Sequence, residues 1–207
     1  MAAELRAYAN RPDVLVLGLP RGGVPVAYEV ASALEAPLDV FVVRKLGVPG
    51  HEELAMGAIA RGGVRVLDPR VMRAAGVRDA DIERVTATEL VELGRRERAY
   101  RGVRPFPDLR NKIVILVDDG LATGSTMRAA VAALRTSAAS RIIVAVPVAA
   151  RETCNALLDV ADEVICAATP EPFRAVGVWY DDFSQTSDEE VHHLLDTTPT
   201  FKQPLRD

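Results

Sequence analysis

Val114-Ile115-Leu116-Val117-Asp118-Asp119-Gly120-Leu121-Ala122-Thr123-Gly124-Ser125-Thr126 carries four apolar residues into two adjacent acids and then into a small, hydroxyl-rich turn. The apolar run reads as a strand buried on both faces. A helix-forming run over 127–135 follows the turn. Such a turn delivers backbone N–H groups and hydroxyls to a helix N-terminus, where orphan amide donors and the helix dipole favour an anion. Ala122, Thr123, Gly124, Ser125 and Thr126 are therefore candidate phosphate ligands. Asp118 and Asp119 fall at the carboxyl end of the strand, where open α/β sheets bind ligands. Carboxylates beside a phosphate cradle suit a diol or a hydrated metal ion, not the phosphate itself. The stretch describes a pocket for a sugar phosphate with free hydroxyls. The plainer alternative is an ordinary strand-to-helix turn capped by Thr and Ser.

The whole chain sets limits on that pocket's setting. Its 207 residues suit one domain. Hydrophobic content of 49% with only 5% aromatics suits an aliphatic α/β core. A net charge of −4 argues against a non-specific nucleic-acid binder. No apolar run reaches the length of a membrane span, and no charged-then-apolar signal pattern opens the chain. Cys154 and Cys166 lie in apolar surroundings without metal-ligand spacing, and are expected to be reduced core thiols of a cytoplasmic protein. The scattered histidines offer no zinc site, and no Gly-Lys-Ser/Thr loop supports a nucleotide hydrolase.

Outward from the central stretch, alternating strands and helices are expected. A short helix spans 2–9. A strand over 13–18 ends in Leu19-Pro20-Arg21-Gly22-Gly23, a helix spans 24–34, and a strand over 38–43 ends at Arg44-Lys45. This order makes a parallel βαβ unit. Shorter strands over 53–59 and 64–67 form an antiparallel excursion. Helices cover 69–75 and 79–100, the second highly charged. The core resumes with strands over 113–117, 141–148 and 163–167 and helices over 125–136 and 151–158. A last helix covers 188–195, and a loose tail covers 197–207.

Gly22 and Gly23 let backbone approach a ligand, and Arg21 adds bidentate donors for phosphate. The Arg44-Lys45 pair can neutralise a leaving group or be a solvated loop pair. Residues 171–183 hold four of the chain's ten Phe, Trp and Tyr residues, faces suited to a flat heterocycle or to closing a core edge. Arg95, Arg96, Arg98 and Arg101 read best as a solvated helix face with pairs such as Glu92–Arg96.

The Asp118–Thr126 string resembles the 5-phosphoribosyl pyrophosphate (PRPP) motif of type I phosphoribosyltransferases, and Pro20-Arg21-Gly22-Gly23 resembles that family's pyrophosphate loop. The resemblance implies a Rossmann-like parallel sheet flanked by helices. A helical insertion would occupy 68–111 and a small C-terminal hood 168–185, all within a single domain over 1–207. It implies transfer of the phosphoribosyl group from PRPP to a nitrogenous small molecule, a nucleobase first, with Mg²⁺ as cofactor. Asp118, Asp119, Arg21 and Lys45 would then be catalytic, with 122–126 on the 5′-phosphate. Arg21, Gly22, Gly23, Arg44 and Lys45 would take the pyrophosphate. Phe173 or Trp179 would stack on the base. Asp118, Asp119 and Asp181 would meet the metal, mainly through water or substrate, with Asp182 the alternative to Asp181. A non-proline cis peptide is implied at Pro20–Arg21 or Arg21–Gly22. Ala122 replaces an aspartate found in several 6-oxopurine transferases and makes the string look more like that of adenine enzymes. Gly120 departs from the apolar residue usual there. A homodimer is the assembly to look for, with no nucleic-acid or membrane partner. The alternative function is a PRPP- or nucleotide-binding regulatory protein of the same fold without turnover.

Overall fold

The computed structural model describes residues 1–198. The chain runs β1 (Val14–Gly18), α1 (Gly23–Leu34), β2 (Leu38–Val40), β3 (Val43–Val48), β4 (His51–Ala60) and β5 (Arg65–Leu67). It continues through α2 (Pro69–Ala74), α3 (Asp79–Arg101), β6 (Ile113–Val117), α4 (Ser125–Arg135) and β7 (Arg141–Val148). It closes with α5 (Arg151–Leu157), β8 (Glu163–Ala168) and α6 (Asp188–Thr197). The tail expected over 197–207 lies, from residue 199 onward, outside the described residues.

Five strands form an all-parallel sheet in the order β2-β1-β6-β7-β8. Every residue of β1 and β6 is buried, as unbroken apolar runs in a covered parallel sheet require. Alternate residues feed two core layers. Val14, Val16, Ile113, Ile115 and Val117 pack with α1, α3 and α6 on one face. Leu15, Leu17, Val114 and Leu116 pack with α4 and Leu157 on the other.

Four expectations change. The apolar run over 38–43 is not one strand: β2 stops at Val40, and Val43 begins β3 in a second sheet, ordered β3-β4-β5. Arg44 and Lys45 thus sit inside an antiparallel strand, paired with Ile59 and Ala58, rather than at the end of a core strand. Phe41 and Val42 are buried in the connection, so the hydrophobic run continues through a change of sheet. The segment expected as a helix over 2–9 holds only a 3-10 turn, Arg6–Tyr8. Cys154 and Cys166 are joined in a disulfide, not reduced, because α5 lies along β8 and brings their Cα atoms to 6.5 Å. Arg101, expected on a solvated face of α3, is buried instead.

The C-terminal end of α3 is fastened to β2 by Arg101, only 5% exposed. Its Nε donates to Asp39 Oδ1 at 2.8 Å and its Nη2 to the Val40 carbonyl at 3.0 Å. Its guanidinium lies 4.9 Å from the Phe106 ring centroid. Removing one partner of a buried ion pair leaves the other uncompensated. Arg101→Met is therefore expected to lower unfolding free energy by about 3 kcal/mol in a urea titration. A loss too small to measure would mean that this end of α3 is not held by the pair.

Candidate functional site

β1 and β6 are neighbours with Gly18 opposite Val117, and the sheet extends from them in opposite directions. Ligands of open parallel sheets bind at such a switch point, outside the carboxyl ends of the strands. Here the loop after β1 and the loop after β6 touch. A Cβ on Gly22 would overlap Asp119 Oδ2, and a Cβ on Gly23 would lie 2.8 Å from both Asp118 Cα and the Val117 carbonyl oxygen. At Gly23, where the neighbours are backbone, only glycine permits this approach. Leu19 N also donates to the Val117 carbonyl at 2.9 Å. The Pro20–Arg21 peptide bond is cis, one of the two bonds named from the sequence.

Asp118 and Asp119 stand side by side at the end of β6, and Asp119 N donates to Asp118 Oδ1 at 2.9 Å. Burial pushes the Asp118 carboxyl well above the ordinary carboxylate range, and the charge of Asp119 adds to it. Burial also raises Asp119. A third group closes over them. The Tyr180 hydroxyl donates to the Asp119 carbonyl at 2.5 Å. Burial, with the charges of Asp119 and Asp118 added, holds the Tyr180 phenol at about 12, so it stays a donor. The segment over 169–187 crosses the end of β6 here. Gly120 fits this crossing: a Cβ would meet Val176 Cγ1 at 2.6 Å and the Val148 carbonyl at 2.9 Å.

The loop over 122–126 leads into α4, with Gly124 in the left-handed region at φ 69°. Ala122, Thr123 and Ser125 are exposed. Thr123 Oγ1 and Ser125 Oγ are 3.2 Å apart. The loop is braced from α5, where the Thr153 hydroxyl donates to the Ala122 carbonyl at 2.5 Å. A Cβ on Gly124 would meet Thr153 Cγ2 at 2.6 Å, so Thr153 fills the space this glycine leaves.

Two hollows flank the joined loops. One, of about 560 Å³, is lined by Arg21, Gly22, Asp119, Pro25 and Val26, and by Tyr180, Asp182, Phe183 and Glu190. The other, of about 630 Å³, is lined by Pro20, Arg44, Lys45 and Thr126 with Arg84, Thr88 and Glu89 of α3. Pro20 faces one hollow and Arg21 the other. Arg21 and Arg44, the two arginines expected to take pyrophosphate, are already paired with carboxylates. Arg21 Nη1 lies 3.4 Å from Asp188 Oδ1, which also accepts the Tyr100 hydroxyl at 3.2 Å. Arg44 Nε donates to Glu89 Oε2 at 2.6 Å. Lys45 is exposed.

The aromatic segment is arranged differently from the reading of its sequence. Tyr180 and Phe183, with ring centroids 5.3 Å apart, line the cleft beside Asp119. Trp179 is 48% exposed at the end of a 3-10 turn, and Phe173 lines a separate hollow with Ala150, Arg151 and Pro170. Asp181 is exposed, and its neighbour Asp182 is the one on the cleft. Arg95 and Arg96 pair with Glu92 at 2.7 Å and 2.8 Å, as a solvated helix face should. Tyr180, Thr153, Asp188 and Glu190 were not singled out. Tyr180 and Asp188 lay within expected elements, but nothing local marked them. Thr153 acts on a loop 31 residues away. Among the described residues, no group of three or more His, Cys, Asp or Glu could hold a metal ion. No helix among them is long and apolar enough to cross a membrane.

A family model described as phosphoribosyl transferase domain matches residues 1–181. Two Mycobacterium tuberculosis proteins, from strains CDC 1551 and H37Rv, are provisionally named phosphoribosyl transferases and are 50% identical to the chain over 194 residues. Those matches cover 94% of the chain but 44% of each relative, so the chain spans less than half the length of these curated relatives. The crystal structure of TT1426 from Thermus thermophilus is 43% identical, with 94% of each chain covered and a TM-score of 0.79.

Proposed function

We propose that this chain, which belongs to the phosphoribosyl transferase domain family, transfers the 5-phosphoribosyl group from PRPP to a nitrogen of a small-molecule acceptor, a nucleobase first. The observation that carries the reading is the contact of Gly22 and Gly23 with Asp119 and Asp118 at the switch point. It joins an anion loop to a pair of acids in one site. Asp118 and Asp119 hold the ribose 2′- and 3′-hydroxyls, and the amides and hydroxyls over 122–126 take the 5′-phosphate. Arg21, Gly22 and Gly23 take the pyrophosphate, with Arg44 and Lys45 supplying charge from the neighbouring hollow. The chain works as one domain, with 68–111 as insertion and 168–185 as hood.

The acceptor nitrogen's lone pair forms the bond to ribose C1. The C1–O bond breaks, its electron pair leaves with pyrophosphate, and the nitrogen's proton passes to water. The protein's part is to position the sugar and neutralise the leaving group. Two adjacent carboxylates with no third ligand among the described residues suit Mg²⁺ held mainly by water and substrate oxygens. Bound there beside Asp118 and Asp119, it would supply charge to the pyrophosphate. Tyr180 keeps the acids in place by donating to the Asp119 carbonyl.

Pyrophosphate release from PRPP and Mg²⁺ with a panel of bases, adenine first, tests the reading. Release above background with at least one base is expected. A PRPP-binding protein without turnover is the second reading, favoured by the pairing of Arg21 with Asp188 and Arg44 with Glu89. Saturable PRPP binding without release from any base would select it.

Thr153→Val keeps the shape beside Gly124 and removes the hydroxyl from the Ala122 carbonyl. It is expected to raise the KM for PRPP about tenfold with little change in kcat, while Thr153→Ser restores it. An unchanged KM in the Val variant would remove Thr153 from the account.

A further inference from the structure

The helix α5 (Arg151–Leu157) is seven residues long, too short to hold its shape in water without tertiary contacts. Leu157 is its one buried residue. Arg151, Glu152 and Asn155 are exposed. Leu157 enters the core, and Arg128 Nη2 of α4 donates to the Ala156 carbonyl at 2.7 Å. The Cys154–Cys166 disulfide ties the middle of the helix to β8, the edge strand of the parallel sheet. Both cysteines are half-buried, so neither is sealed inside the sheet.

The same short helix carries the brace of the loop over 122–126. The Thr153 hydroxyl donates to the Ala122 carbonyl. Thr153 Cγ2 and Leu157 Cδ1, four residues apart on one face of α5, both border the space beside Gly124. Cys154 follows Thr153 directly. The covalent tie to β8 thus stands one residue from the group that holds the loop.

From this juxtaposition we infer that Cys154–Cys166 is a redox-modification site whose state sets the PRPP affinity of the loop over 122–126. The assignment of that loop to the 5′-phosphate rests on the transferase reading above. Closed, the pair holds α5 to β8 and Thr153 against Ala122. Opened by a dithiol, it frees the middle of α5, and the brace loosens with it. One thiolate of the dithiol bonds to one cysteine sulfur, and the other cysteine leaves as a thiolate. The second thiolate of the dithiol then displaces the first cysteine. The protein gains two electrons and two protons, and the dithiol departs as its own disulfide.

The test compares the air-oxidised chain with the same chain reduced by dithiothreitol. Amide hydrogen exchange over α5 and the loop it braces is expected to rise about tenfold on reduction, with β1 and β6 unchanged. The Kd for PRPP with Mg²⁺, read by calorimetry, is expected to rise about tenfold, the size of the effect expected of Thr153→Val, because the same brace is lost. Cys154→Ser with Cys166→Ser should match the reduced chain with or without the dithiol. Thr153→Val should bind PRPP equally in both states, since two changes that act through one contact do not add. Equal PRPP affinity in the two states of the unaltered chain would overturn the inference. So would a dithiol effect that persists in Thr153→Val, exchange that rises throughout the sheet, or two free thiols in the air-oxidised chain. PRPP binding in neither state would instead overturn the transferase reading, and the exchange would still decide whether the disulfide holds the loop.

Discussion

Asp118→Asn combined with Asp119→Asn is expected to weaken PRPP binding by about a hundredfold or more while raising the melting temperature. The loss follows from removing two charged acceptors for the ribose hydroxyls. Each such hydrogen bond contributes about 1.5–3 kcal/mol, and every 1.4 kcal/mol is tenfold. The gain follows from linkage. Both carboxyls titrate above their ordinary range in the folded chain, chiefly through burial. The folded state thus binds their protons more tightly than the unfolded state does. Stability falls as pH rises from the ordinary carboxylate range through the raised one, so at neutral pH the charged pair costs stability. Neutral amides of the same shape remove that cost, and the amide oxygen introduced at position 118 can still accept the neighbouring backbone N–H. The contribution of these two acids makes the wild type gain stability relative to the double variant as the buffer goes from neutral to mildly acidic pH. Calorimetric titration and thermal melts read both signs. Unchanged affinity, or a double variant less stable than the wild type, would contradict the assignment of these acids.

The second large effect separates two adjacent glycines. At Gly23 an added methyl meets the backbone of Val117 and Asp118, which the centre of the sheet cannot move. Gly23→Ala is expected to cost about 2–3 kcal/mol of stability, in the range of overpacked cores. At Gly22 the added methyl meets only the end of the Asp119 side chain, which can rotate. Gly22→Ala should fold with near-normal stability and lose PRPP affinity by about tenfold or more, because Asp119 is turned from the diol. Equal stability losses in the two variants would mean that the loop approaches the sheet differently.

The parts of this site that were legible in the sequence are those fixed by local chemistry. Val114 to Val117 and Val14 to Leu17 are unbroken apolar stretches bounded by turn residues, the pattern of a covered parallel strand. The small and hydroxyl-bearing residues after each strand marked both loops as candidate anion sites, whereas the strand order β2-β1-β6 is what brings them side by side. The hydrophobic pattern could not tell that β2 ends at Val40, because Phe41 and Val42 are buried in a connection as thoroughly as strand residues are. Arg44 and Lys45 were misplaced with it. Among Trp179, Tyr180 and Phe183, composition gave aromatic surface but not direction. The 3-10 turn Val176–Trp179 decides that Tyr180 meets Asp119 while Trp179 faces outward. Thr153 and Cys166 lie far along the chain from what they touch or in no recognisable spacing, so only the packing of α5 reveals them.

A crystal structure with PRPP and Mg²⁺ bound tests the central claim most directly, that the two joined loops form one sugar-phosphate site. The account predicts the 5′-phosphate on the amides over 122–126, the ribose hydroxyls on Asp118 and Asp119, and the pyrophosphate against Arg21, Gly22 and Gly23. PRPP bound elsewhere, or a phosphate at 122–126 with its ribose turned away from both acids, would contradict it.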